Sequence, residues 1–143
     1  YFWVNLGVLP FWLILIFFSS SNLSRFLVTS ILPIFLLSGT YLFVLYKSFL
    51  SSYDFMSNFE LYLSISELSN LFSNNLFLML FWIHFVSINL FVGGWIVKDS
   101  QKFLINKILV GFPLIITYLI GPLGLFVYWL IRIFYAKSIN LYD

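Results

Sequence analysis

The 143-residue chain is 62% hydrophobic and 23% aromatic, with 8% charged residues and a net charge of +2. So few charges exclude an ordinary soluble domain, in which about a quarter of residues are charged, and they would leave large apolar patches facing water. The small, scattered positive charge excludes a nucleic-acid partner, and the absence of cysteine excludes disulfides, thiolate catalysis and Cys-based metal sites.

A bilayer removes the conflict, because there apolar surface meets apolar solvent. The composition therefore predicts an all-α polytopic membrane protein: one domain over residues 1–143, with four transmembrane helices and one interfacial amphipathic helix. A spanning helix needs roughly 20 mostly apolar residues. The first span is predicted over about residues 2–18, with Pro10 inside it. Deep in a helix this proline would free the carbonyl of Leu6 and bend the axis. Ser19-Ser20-Ser21-Asn22 reads as a polar turn, with Asn22 or Ser24 as the cap of the next helix. The second span is predicted over 26–46, with Pro33 freeing the carbonyl of Thr29 and with Tyr41 and Tyr46 as interfacial aromatics.

Residues 48–75 form the longest connection, rich in Ser and Asn and carrying Asp54, Glu60 and Glu67. Leu61, Ile65, Leu68, Leu71 and Phe72 recur at helical spacing, which predicts an amphipathic surface helix over about 60–73. The rival reading is a loop packed on the span ends. The third span is predicted over 76–97, followed by a short basic connection to Lys107. The fourth is predicted over 108–135, where Pro113, Gly121-Pro122 and Gly124 imply a kink near Gly121 and close backbone approach. Four spans would set Lys47, Arg132 and Lys137 on one side against Arg25, Lys98, Lys102 and Lys107 on the other. That near-balance leaves orientation open.

Polar residues inside a membrane are costly and are functional suspects. The third span holds His84, Ser87, Asn89, Gly93 and Gly94. At helical spacing His84, Ser87 and Phe91 share one flank with Gly94 beside them, whereas Asn89 and Gly93 face the other way. This span is expected inside the bundle. His84 suits a general acid or base, a ligand to a haem or chlorophyll metal, a hydrogen-bond donor to a pigment or quinone, or a neutral histidine bonded to a neighbouring helix. With a single histidine, a metal centre made by this chain alone is not expected. Gly121, Pro122 and Gly124 read as packing residues rather than a phosphate loop.

Leu71-Phe72-Ser73, Trp82-Ile83-His84, Asn89-Leu90-Phe91-Val92-Gly93, Trp95-Ile96-Val97-Lys98-Asp99-Ser100 and Gly121-Pro122-Leu123-Gly124-Leu125 together resemble the abscisic-acid-deficient-four-like family, as does Val8-Leu9-Pro10-Phe11-Trp12. The resemblance is sharpest from Leu68 to Arg132. It implies a small four-span membrane protein tied to neoxanthin formation, hence to isomerisation of an epoxy-carotenoid, with His84 on the family's Trp-x-His position. Asn89 stands where the family usually has Asp, and Gly94 where a basic residue is frequent. Opening an epoxide calls for an acid and a base, and Asn supplies neither.

Three functions follow as expectations. The first is a non-catalytic accessory subunit of an organellar energy-transducing membrane complex. Residues with AT-rich codons outnumber Ala, Gly, Pro and Arg, with Ala136 the single alanine, which suggests an AT-rich genome, an organelle's or an AT-rich protist's, and with it a mitochondrial inner membrane or plastid membrane. The second is a xanthophyll-metabolism protein of neoxanthin-synthase type, with His84 as its catalytic residue. The third is a protein that binds a carotenoid, quinone or lipid. Expected partners are membrane lipids and other membrane subunits, with bound lipid or pigment in place of a fixed cofactor.

Overall fold

A computed structural model describes residues 1–50, 56, 59 and 63–137. Asp54, Glu60 and the first turn of the expected amphipathic helix lie outside the described residues. Among the described residues there are seven α-helices and no strand. They are α1 (Phe2–Phe17), α2 (Asn22–Thr29), α3 (Leu32–Leu50), α4 (Ile65–Phe72), α5 (Asn75–Lys102), α6 (Lys107–Leu119) and α7 (Gly121–Ala136). Helices α3 and α5 are long and apolar enough to cross a membrane, and α1, α6 and α7 are apolar but shorter.

Local chemistry sets the helix ends. α1 runs through Pro10 without a break. Ser21, rather than Asn22 or Ser24, caps α2, its Oγ accepting from the Ser24 N–H. The expected second span is two helices. Ser30 is extended and its Oγ accepts from the Leu32 N–H, while Pro33 sits in the first turn of α3, where its missing N–H costs nothing. Pro33 therefore starts a helix rather than interrupting one. Ser64 caps α4 by accepting from the Glu67 N–H, and Phe72 packs edge-on against Phe77 and Phe81 of α5.

Helix α5 is the axis of the fold and touches all six other helices. Trp82 Nε1 donates to Asn5 Oδ1 (3.0 Å), the Trp12 ring lies over Gly93, and Gln101 Nε2 donates to the Ser19 carbonyl, so α1 runs parallel to α5. A Cβ on Gly93 would stand 2.7 Å from Trp12 Cη2, which makes this glycine the socket for the indole. Helix α3 runs antiparallel, with Pro33 beside Gly94 and Tyr41 beside His84.

The largest departure from the sequence reading is the last apolar stretch. It is not one kinked span. Ile120 is extended (φ −141°, ψ 88°) and the chain reverses there. Gly121 meets Asn89, Tyr128 and Trp129 meet Trp95, and Arg132 meets Asp99, so α7 climbs back parallel to α5. Helices α6 and α7 thus form a hairpin whose two open ends lie together at the C-terminal end of α5, with its tip level with Asn89. Pro122 cannot donate a bond that would continue α6. Gly124 lets the two helices close: a Cβ there would stand 2.6 Å from Thr117 Cα.

Candidate functional site

The two flanks of α5 do different work. On one, His84, Ser87, Ile88 and Phe91 face Ile34, Ser38 and Tyr41 of α3 across an open groove of about 540 Å³. His84 is exposed on the groove wall and makes no hydrogen bond among the described residues. Ser87 spends its hydroxyl proton on the Ile83 carbonyl, 2.6 Å away. Tyr41, expected at the interface, lies in this groove opposite His84. The groove joins a second, apolar cavity of about 290 Å³ through Ile34 and Phe91. There Gly94 presents bare backbone, with nothing within 4 Å of a Cβ built on it, and Lys98 stands at the rim.

On the opposite flank Asn89 and Gly93 are enclosed. Asn89 is 4% exposed and packs against Gly121, whose Cβ, if built, would stand 3.0 Å from the Asn89 Cγ. Its Nδ2 has no hydrogen-bond partner among the described residues. Asn89 therefore abuts the start of α7, on the far side of α5 from His84. The two polar residues of this span do not converge on one substrate atom. Gly121, Pro122 and Gly124 gather at the hairpin tip, remote from the groove.

One polar cluster escaped the sequence reading. Arg132, fully buried, donates from Nε to Asp99 Oδ2 at 2.7 Å, and the Tyr128 hydroxyl donates to the same oxygen at 2.7 Å. The guanidinium is also sandwiched between rings, 4.8 Å from the Phe103 centroid and 4.7 Å from that of Trp129. Cation–π contact of this kind is stronger when desolvated. A third span ending at residue 97 puts Asp99 in a loop, and a single span over 108–135 puts Arg132 on the opposite side. The available signal was the i, i+4 pair Tyr128 and Arg132, which puts two hydrogen-bond donors on one helical face. This cluster lines no cavity described here, and its evident work is to clamp α7 onto α5.

Among the described residues no three His, Asp or Glu side chains gather as a metal site. The groove instead offers a donor–acceptor set, His84 with the hydroxyls of Tyr41 and Ser38, in an otherwise apolar wall. Such a set can hold an oxygen function on a long apolar molecule, and His with Tyr can exchange a proton with it.

The family model described as ABA DEFICIENT 4-like matches residues 1–128. No curated protein and no solved structure matches the chain.

Proposed function

The chain belongs to the ABA DEFICIENT 4-like family, and we propose that it is a membrane-embedded, xanthophyll-related protein that holds an oxygenated polyene along the α3–α5 seam. The observation that carries this is His84: an exposed, unbonded imidazole midway along an apolar helix, facing a groove shared with Tyr41 and Ser38. A polar side chain in that setting is costly unless a ligand uses it. From His84 to Lys98 the seam extends about 21 Å at about 1.5 Å per residue, with polar groups at both ends and apolar walls between them. A linear molecule with an oxygenated end group matches that layout. Asn89 takes no part, since it is sealed against Gly121.

In the bilayer, α1, α3 and α5 are the crossings, and α6–α7 is a re-entrant hairpin that leaves on the side it entered. Arg25, Lys98, Lys102, Lys107 and Lys137 then lie at one end and Lys47 at the other. By the positive-inside rule the basic end faces the matrix, stroma or cytoplasm. α1, about 24 Å long, is the shortest crossing, and irregular backbone at the hairpin tip is tolerated because α5 covers it.

Pigment extraction from protein purified out of a violaxanthin-producing host tests the proposal. Recovery of a xanthophyll with the wild type, and its loss with His84→Leu, is the expected result. Recovery of none, or equal recovery from both, overturns it. Appearance of neoxanthin in the same host separates turnover from binding. The accessory-subunit reading rests on composition, and stoichiometric co-purification with a large assembly would favour it.

A further inference from the structure

A third cavity, of about 690 Å³, opens at the basic end between the turn after α1, the start of α2 and the α5–α6 turn. It is separate from the α3–α5 seam and shares no lining residue with it. Two cations, Arg25 and Lys107, stand on its walls, with Ser19, Ser20 and Asn106 between them. Among the described residues no carboxylate lines it. Asp99, the one described acid at this end of the molecule, is already engaged by Arg132 and Tyr128. The Gln101–Ser19 bond ties α5 to α1 across the floor, so the cavity is a fixed feature of the packing. The field inside it is therefore positive.

Its outer edge is apolar. Leu104 is 88% exposed and Ile108 83% exposed, side by side at the mouth. Leu104 also has φ of 52°, in the left-handed region that favours glycine. That conformation closes the C-terminal turn of α5, with the Ile105 N–H donating to the Ser100 carbonyl, and it leaves the Leu104 side chain outside the core at the cavity mouth.

We propose that this cavity seats the headgroup of an anionic glycerophospholipid, its phosphate between Arg25 and Lys107 and an acyl chain lying over Leu104 and Ile108. Arg and Lys both bind phosphate oxygens strongly when partly desolvated, and basic pockets at helix ends are places where anionic headgroups dock. The inference shares only the membrane setting with the function proposed above, so either can fail alone.

Native mass spectrometry of the purified full chain, titrated with phosphatidylglycerol or phosphatidylcholine, tests it. One phosphatidylglycerol is expected to bind at least tenfold more tightly than phosphatidylcholine. Arg25→Gln with Lys107→Gln should abolish that preference, while Lys98→Gln, outside the cavity, should keep it. Leu104→Gly relieves the backbone, so it should weaken lipid binding several-fold with an unchanged or raised melting temperature. Equal affinity for the two lipids overturns the proposal. So does equal loss in Lys98→Gln, which would mean a diffuse field, and so does full displacement by millimolar inorganic phosphate, which would mean a site for free anions.

Discussion

Asp99 accepts two hydrogen bonds on one oxygen, and its partners come from a helix more than twenty residues further along the chain. With Arg132 fully buried, removing the carboxylate breaks a buried ion pair. Asp99→Asn is expected to cost about 3–5 kcal/mol. Tyr128→Phe removes one charge-assisted bond and is expected to cost about 1.5–3 kcal/mol. Thermal unfolding in detergent should order the variants wild type, Tyr128→Phe, Asp99→Asn. A double change, Asp99→Asn with Arg132→Met, should recover much of the loss, because it removes both members of the buried pair. His84 behaves differently, since nothing in the fold depends on it. His84→Phe should leave the unfolding free energy within about 0.5 kcal/mol of wild type, as expected for a surface substitution, while abolishing pigment retention. A large destabilisation would place His84 among the structural residues instead. The helical arithmetic that put His84, Ser87 and Phe91 on one flank and Asn89 and Gly93 on the other needed only the sequence. What each flank faces did not follow from it, because that depends on which helices pack there.

Helix positions were legible where one long apolar run makes one helix, as in α1 and in α5, which Asn74 caps. They were misread where one run holds two helices. Pro33 and Pro122 each sit in a first helical turn, and a sequence pattern does not distinguish a proline that kinks a helix from one that begins the next. The choice at Gly121 decides the path of α7, and two glycines expose the difference. A Cβ at Gly124 would collide with the backbone of Thr117, whereas one at Gly94 would meet nothing within 4 Å. Gly124→Ala is therefore expected to destabilise by about 1–3 kcal/mol through overpacking. Gly94→Ala should stabilise by roughly 0.5–1 kcal/mol through helix propensity. Denaturation of the two variants side by side checks the contrast. Equal shifts would mean that α6 and α7 are not closed against each other at Thr117.

At the scale of the whole molecule, the hairpin governs everything else: it frees the α3–α5 seam, gathers the basic residues at one end and seals Asn89. The all-α class and the family were accessible from the sequence, because composition and ordered motifs carry them. The path of α6 and α7 was not, because a hairpin of two apolar helices and one long kinked helix have the same hydropathy. The chain has no cysteine, so single substitutions report without background. Sided vesicles carrying Ser73→Cys, Leu104→Cys or Lys137→Cys, treated with a membrane-impermeant thiol reagent, measure the pattern directly. Three crossings and a re-entrant hairpin predict labelling at 104 and 137 from the same side and at 73 from the other. Labelling at 137 from the side that labels 73, opposite 104, would contradict the account and restore four crossings.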